Sequence, residues 1–462
     1  MSWGVAAFGL PMVVGMLLYG AFNLVDLFML SRMDDAAPAL AALGICDMLF
    51  ALAVIAASGI SNSSVALISR RLGEGDREGM QRAAWQSLLL LGGSSLVLGV
   101  AGVWGAGWVV EVLMHAKAEV AVLATQYLQI MLGGSYSIFL LLQVTAILRA
   151  LGHASWAAVL LVAGNGLNVV LDAIFIFGPG PAPELLGWAP PVAQWLGIPQ
   201  MGMAGAAWAT LLGRSVPMLL GLGLLVLLRD GLELRLRFLR LELRQQWRLL
   251  LLGWPASAQL ALRVGTVLVF LALISASFTT ADDVSVLTAY SICLRLEVIV
   301  LFMAMGWGAA ASTYMGVNLG ASQPQRALNS TWLSAAYAAA SVLLVAFVAV
   351  LFAREIIAFF DDSEAVLEVG AQYFRVVAFS YVALAFGVVL SQGLTGAGDT
   401  LASFLLDAGV LLILVIPGCM LLIGVWGHPP VVLWWAMVVG NVLAAAVFAL
   451  YFWRGRFVHK QV

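Results

Sequence analysis

The feature that constrains this chain most is a series of uninterrupted apolar stretches, each about 20 to 30 residues long. A helix needs about 20 apolar residues to cross a bilayer, and in lipid only helices and closed barrels satisfy the backbone hydrogen bonds. The stretches are continuous rather than alternating, which predicts helices. Twelve of them begin near Trp3, Ala41, Gln86, Glu119, Ala154, Met201, Leu249, Val284, Asn329, Val366, Ala402 and Val431. We therefore predict an all-α integral membrane protein with twelve transmembrane helices.

The composition excludes a soluble fold. Of the 462 residues, 63% are hydrophobic and 10% are charged, whereas a soluble domain has about 25% charged residues. The net charge of −2 provides no general positive field, so we expect a bilayer and no nucleic acid as the partner.

The positions of the basic residues predict the orientation of the spans. Fifteen of the 22 Lys and Arg residues fall on one side, and most of these lie in the loops Arg70–Arg82 and Arg229–Arg248. Because Lys and Arg accumulate in cytoplasmic loops, both termini are predicted to be cytoplasmic. Arginines and leucines are interleaved between Arg229 and Arg248, which is typical of a segment that lies on the inner leaflet.

Landmarks of the first half of the chain recur in the second half. Pro11 corresponds to Pro255, Leu72-Gly73 to Leu319-Gly320, Gln126-Tyr127 to Gln372-Tyr373 and Gly152 to Gly398, at offsets of 244 to 247 residues. Six helices per repeat return the chain to the same side of the membrane, so the two repeats are parallel. A cleft between two such bundles can open to either side of the membrane when the bundles rock. We predict two pseudo-symmetric six-helix lobes, residues 1–228 and 249–462, joined by a cytoplasmic linker, residues 229–248.

Two groups of polar residues interrupt the apolar spans of the first half. Asn23 and Asp26 lie three residues apart in the first span, beyond Pro11, which is predicted to kink that helix. The fifth span carries a polar stripe formed by Asn165, Asn168 and Asp172.

A carboxylate at the centre of a span costs roughly 2.5 to 3.5 kcal/mol, so Asp26 and Asp172 are functional candidates by default. Two carboxylates in one dry cavity cannot both ionise cheaply, and a proton or a monovalent cation relieves the conflict. We predict a cation-coupling site there; the alternative is a set of structural hydrogen bonds between helices. Tyr136 and Gln143 of the fourth span either line a cavity or simply pack.

Several charged residues of the second half have no role that the sequence assigns. Arg295 and Glu297 are two residues apart, hence on different faces of the eighth span, and each is expected to meet a neighbour on another helix. Asp407 is interpreted as a structural residue near an inter-helix surface, and the role of Arg263 stays open.

The motifs resemble those of the multidrug and toxic compound extrusion (MATE) family along essentially the whole chain. They are Gly-Leu-Pro11, Asn23-x-x-Asp26, Arg70–Asp76, Arg149–Ser155, Asn165–Gly178, Met203–Thr210, and the second-half echoes Gly316–Ala321 and Gly393–Thr400. The resemblance implies a V-shaped transporter that exports bulky, cationic or amphipathic compounds in exchange for a cation, by alternating access between two lobes. It implies no catalytic residues and no cofactor other than H⁺ or Na⁺ as the coupling ion.

The resemblance also implies roles for individual residues. Asp26, Asn168, Asp172 and Thr210 match the cation-coupling site of the first lobe, the only place where a metal ion, Na⁺, is expected. Asn23, Tyr136, Gln143 and Asn165 are assigned to the substrate cavity, and Pro11 matches a proline whose helix bends with protonation of the first-helix acid. At the positions where one branch carries acids in helices 7 and 10, this chain has Arg263 and Leu384. The sequence therefore looks more like the DinF-like branch, in which proton coupling is proposed.

Two other functions are alternatives to the export of drugs. A flippase or exporter of lipid-linked saccharide shares the two-lobe plan, and a strongly basic cavity and extra spans would favour it. An intramembrane enzyme is disfavoured because the four histidines lie outside the spans and no HExxH or GxSxG occurs. We expect a monomer in a bacterial-type cytoplasmic (inner) membrane.

Overall fold

The computed structural model describes residues 2–33, 36–115, 118–280 and 283–459, except for the side chains of residues 19, 21–24, 26, 27, 113, 118, 119, 236, 456 and 459. Within these ranges the regular structure is entirely helical, without a β-strand. This confirms the predicted all-α class.

The described ranges contain seventeen α-helices. The first eight are α1 (Ser2–Leu30), α2 (Ala36–Gly73), α3 (Arg77–Trp108), α4 (Ala118–Gly133), α5 (Ser135–Ala150), α6 (Ala154–Phe177), α7 (Ala189–Leu196) and α8 (Gly202–Leu227). The others are α9 (Leu243–Phe278), α10 (Ser285–Gly320), α11 (Pro324–Leu351), α12 (Ala353–Ala358), α13 (Glu364–Val377), α14 (Ser380–Gly396), α15 (Thr400–Ala408), α16 (Ile416–Cys419) and α17 (Pro430–Arg454). Wider π-helical turns at Val109–Leu113, Gly409–Val415 and Met420–Val425 extend α3, α15 and α16.

The predicted spans coincide with these helices. Nine helices of the described ranges are long and apolar enough to cross a membrane. Two further spans are broken: the chain bends by 43° between α4 and α5, and by 55° between α13 and α14. The remaining predicted span falls on α1, whose described apolar part is Ser2–Leu18. Eleven of the twelve predicted spans thus correspond to helices or bent helix pairs of sufficient apolar length within the described ranges, and the sequence gives no sign of the two breaks.

The chain divides into two compact units. Unit 1 contains residues 1–17, 65–77 and 251–462, and unit 2 contains residues 18–64 and 78–250. The boundary between the units near residue 250 lies close to residue 249, the predicted start of the second lobe. Two segments of the predicted first lobe, residues 1–17 and 65–77, belong to unit 1 instead. The lobe boundaries themselves stay a prediction.

The repeated Leu-Gly motif marks a close helix contact inside unit 1. A Cβ atom on Gly73 would collide with the carbonyl oxygen of Val317, and one on Gly320 with the carbonyl oxygen of Arg70. The ends of α2 and α10 therefore approach backbone to backbone, as small residues allow in membrane helices. Both glycines of the sequence repeat are required at the same contact.

The Arg-rich segment after α8, residues 229–242, is hydrogen-bonded to α3 within unit 2. Gln81 donates to the carbonyl of Gly231 at 2.8 Å and accepts from the backbone N–H of Glu233 at 2.9 Å. Gln86 donates to the carbonyl of Arg240 at 2.8 Å and accepts from the N–H of Glu242 at 3.1 Å. These two side chains satisfy backbone groups that the irregular segment leaves unpaired. Since α9 begins at Leu243, the last part of the predicted linker is helical.

Replacing Gln86 by Ala is expected to lower the free energy of unfolding by about 3 kcal/mol, because several buried polar groups lose their partner at once. Gln86 is completely buried, and Gln246 also donates to its side-chain oxygen at 2.8 Å. Denaturant titration of the purified protein in micelles measures the change. Gln194→Ala, at an exposed position of α7, is the control. Equal stability of the two variants would contradict this role of Gln86.

Candidate functional site

Three of the four predicted coupling residues, Asn168, Asp172 and Thr210, lie on α6 and α8, which pack closely in unit 2. A Cβ atom on Gly213 would lie 2.8 Å from Cβ of Asn168, and one on Gly164 would lie 2.9 Å from the carbonyl oxygen of Gly213. A Cβ on Gly205 would lie 2.6 Å from the carbonyl oxygen of Phe175. Any larger residue at these glycines would separate the helices. The small residues thus bring the polar stripe of α6 against α8.

Asn168 and Thr210 meet across this contact. The side-chain nitrogen of Asn168 donates to the hydroxyl oxygen of Thr210 at 3.4 Å, and both side chains are buried, with 9% and 5% exposure. Asp172 follows Asn168 by one helical turn on the same face, and its side chain is completely buried. The structure therefore brings Asn168 and Thr210 together and places a carboxyl group one turn away.

Asn165 begins the stripe one turn before Asn168. Its side-chain nitrogen is buried and makes no hydrogen bond within the described part of the chain. A buried donor without a partner carries a desolvation cost that a ligand oxygen would remove. An unpaired donor at this position is compatible with the predicted place of Asn165 in a substrate cavity, which stays a prediction.

The first-span candidates stay predictions of the sequence. Asn23 and Asp26 belong to α1, but their side chains lie outside the described residues. Pro11 lies inside α1, where it removes one backbone hydrogen bond.

Gln143 and Tyr136 occupy different surroundings. Gln143 is completely buried and donates to the hydroxyls of Ser64 at 2.9 Å and Ser87 at 2.6 Å. The structure thus gives Gln143 a packing role that joins α5 to α2 and α3, while its predicted place in the cavity is untested. Tyr136 is 42% exposed and lies beside the bend between α4 and α5.

A cavity opens at that bend in unit 2. Its volume is about 520 Å³, and its lining includes Gln126, Gln129, Tyr136 and Trp208. Pockets that hold small organic molecules have volumes of about 300 to 1,000 Å³. The combination of aromatic rings and amide groups suits an amphipathic ligand.

Unit 1 contains a polar cluster that the sequence does not reveal. Arg263 of α9 forms a two-pronged ion pair with Asp407 of α15, at 2.7 and 2.9 Å. Gln259 donates to the same carboxylate at 2.6 Å, and Ser391 and Ser403 are bonded to each other at 2.8 Å beside it. The two charged residues are 144 positions apart, so no spacing rule along one helix could pair them.

Glu297 has a different environment in the same unit. The hydroxyl of Tyr373 on α13 donates to its carboxylate at 3.0 Å. Arg295 is exposed, so the neighbouring arginine does not share this contact. The expectation that Glu297 meets a residue of another helix is confirmed.

Comparison with known proteins gives one consistent result. The family model MatE matches residues 11–174 and 260–421. The probable multidrug resistance protein YpnP of Bacillus subtilis is 23% identical over 404 residues, which cover 87% of this chain and 83% of that protein. The FAD transporter of Shewanella oneidensis is 23% identical over 415 residues, with 88% and 85% covered. The solved structure of a MOP superfamily transporter from Pyrococcus furiosus superimposes with a TM-score of 0.86 at 23% identity, over 100% of this chain and 97% of that one.

Proposed function

Because this chain belongs to the multidrug and toxic compound extrusion (MATE) family of membrane transporters, we propose that it exports cationic or amphipathic organic compounds in exchange for a cation. The observation that carries this proposal is the buried carboxyl of Asp172 beside the Asn168–Thr210 contact. A buried carboxyl inside a transporter can hold a cation on one side of the membrane and release it on the other. The lobes alternate access as the ion and the substrate exchange.

The coupling ion in this proposal is the proton, with sodium as the alternative. Asp172 can bind either ion, and the oxygens of Asn168 and Thr210 are hard ligands that would also suit sodium. One branch of the family carries acidic residues in helices 7 and 10, where this chain has Arg263 and Leu384. Arg263 is moreover paired with Asp407. Both observations argue against a further sodium site in the second half.

The proposed substrates follow from charge and shape. An acidic coupling site attracts cations, and the cavity at the bend between α4 and α5 offers Tyr136 and Trp208 for flat apolar groups. The names of the relatives include both a multidrug resistance protein and an FAD transporter. A substrate panel therefore has to contain cationic dyes and FAD.

In everted vesicles, transport of a cationic dye is expected to persist without sodium and to collapse when an uncoupler removes the proton gradient. Dye accumulation and dye-dependent proton movement are measured together in sodium-free buffer. Protein-free vesicles are the control. Dye accumulation that requires sodium would reassign the coupling ion to sodium, and translocation of a lipid-linked saccharide without dye transport would favour the flippase.

The proposal places the protein in the cytoplasmic membrane of a bacterial-type cell with both termini inside. The basic loops support this orientation. We also propose that it works as a monomer, since each chain supplies both lobes.

A further inference from the structure

The aromatic cluster around Glu297 in unit 1 contains more hydrogen-bond donors than its helix packing uses. Tyr290, Tyr373, Tyr381 and Trp434 are each at most 1% exposed. The rings of Tyr290, Tyr373 and Trp434 pack on one another, with centroid distances of 4.9 Å for Tyr373 and Trp434 and 5.8 Å for Tyr290 and Trp434. The carboxyl group of Glu297 contacts this cluster through the hydroxyl of Tyr373.

Two donors of the cluster are unused. The hydroxyl of Tyr290 and the indole nitrogen of Trp434 are buried and make no hydrogen bond within the described residues. Leaving buried donors unpaired is costly. The hydroxyl of Tyr373, in contrast, is used by the carboxylate of Glu297.

Glu297, which is partly buried, also differs from Asp407, a buried acid of the same unit. Asp407 is neutralised by Arg263 and receives a further hydrogen bond from Gln259. No ion pair joins Glu297 to a Lys or Arg in the described ranges, and Tyr373 is its only hydrogen-bond partner there. A carboxylate without a cationic partner in a low-dielectric interior is readily neutralised by taking up a proton. Asp407 therefore has a fixed counter-charge, whereas the described residues give Glu297 none.

The position of Glu297 in the fold agrees with uptake of a proton. Tyr373 precedes the 55° break between α13 and α14, and Tyr381 follows it. Glu297 lies about 18 Å along α10 from its start, well inside the span. Broken helices near the bilayer midplane are where transporters place their coupling-ion sites.

The sequence repeat shows that packing alone does not require an acid here. In the register that aligns Leu72 with Leu319, the counterpart of Glu297 is Phe50. In the register that aligns Gln126 with Gln372, the counterpart of Tyr373 is Tyr127. Phe50 and Tyr127 are both buried. The first half thus builds the corresponding region with an apolar residue where the second half has a carboxyl.

We propose that Glu297 is a second proton-binding site of this transporter, formed by its carboxyl and the hydroxyl of Tyr373. Tyr373 donates to the carboxylate at 3.0 Å, and Cys293 lies one helical turn before Glu297 on α10. The carboxylate takes a proton from the aqueous side with the higher proton activity, becomes neutral, and returns the proton to the other side. This inference rests on the proposed export function, which it extends by one proton per cycle.

Infrared difference spectroscopy of the purified full-length protein in lipid nanodiscs tests the site without any substrate. Between about pH 4 and about pH 10, the wild type minus Glu297→Gln difference is expected to show one titrating protonated-carboxyl band. Tyr373→Phe removes the donor that stabilises the carboxylate, so the midpoint of this band is expected to rise by about one pH unit. Glu368→Gln, at an exposed position of α13, is the matched control and should leave the band unchanged. A difference spectrum without this titrating band, or a midpoint that Tyr373→Phe does not move, overturns the proposal.

A transport measurement gives the second readout. In proteoliposomes, the ratio of protons moved to dye exported is expected to fall by about one in Glu297→Gln and to stay constant in Glu368→Gln. An unchanged ratio overturns the second proton site while the export function stands. If the wild type exports no dye at all, the export function fails, and the infrared titration still decides whether Glu297 binds a proton.

Discussion

Asp172→Asn is expected to abolish concentrative export while the protein remains folded. Asparagine has nearly the size of aspartate but can neither carry the negative charge nor bind and release a proton. A proton that falls through about 100 mV and one pH unit supplies about 3.7 kcal/mol, which can sustain a gradient of roughly 500-fold for a neutral compound. Without the carboxyl, the gradient of the exported compound should fall to about one. Dye efflux from cells that express the variant, compared with cells that lack the protein, measures the loss.

The matched control is Asp230→Asn, the same chemical change at an exposed position outside the membrane helices. Its efflux should equal that of the wild type. Expression level and thermal unfolding of both variants show whether the protein is intact. Asp26→Asn is expected to have the same effect, since Asp26 belongs to the same predicted coupling site. Wild-type efflux by the Asp172 variant would remove the proposed coupling site.

Asp407→Asn is expected to produce the largest loss of stability, about 3 to 5 kcal/mol, because breaking a buried ion pair leaves an uncompensated charge. The side chain of Asp407 is 2% exposed and that of Arg263 is 23% exposed. The variant keeps the shape of the side chain but leaves the guanidinium of Arg263 without its counter-ion. The free energy of unfolding in micelles, from denaturant titration, measures the change.

Two further variants separate charge from packing. Glu364→Gln breaks the exposed ion pair with Arg354 and should cost less than about 1 kcal/mol. The double variant Arg263→Met and Asp407→Leu removes both charges and is expected to regain most of the stability, because apolar replacements of similar volume often substitute for a buried pair. If Asp407→Asn is as stable as the wild type, the ion pair is not a structural element of unit 1.

The candidate site could be predicted from the sequence to the extent that its residues share one helix. Asn165, Asn168 and Asp172 repeat at helical spacing on α6, so their common face follows from the sequence alone. The partner of Asn168 on α8 could be named only through the family resemblance, because Thr210 is 42 positions away. Gln143 shows the opposite case: it belongs to a span like the others, yet its hydrogen bonds to Ser64 and Ser87 give it a packing role.

The sequence also did not predict the two helix breaks. Residues 120–150 and 364–396 are predominantly apolar, and apolar length alone cannot distinguish a straight span from one that bends by 43° or 55°. A bend depends on how neighbouring helices support the freed backbone groups. The cavity at the first bend and the tyrosines at the second therefore became visible only in the structure.

The sequence by itself determined that this chain is a helical membrane protein of the MATE family, with a repeated plan and a polar stripe on α6. Those properties depend on hydrophobic length and on spacing within single helices, which the order of residues contains directly. Only the tertiary structure decided which acids inside the spans have a cationic partner: Asp407 pairs with Arg263, whereas Glu297 accepts a hydrogen bond from Tyr373. The physical reason is that the cost of a buried charge depends on the groups that surround it in space, and those groups come from helices far away in the chain.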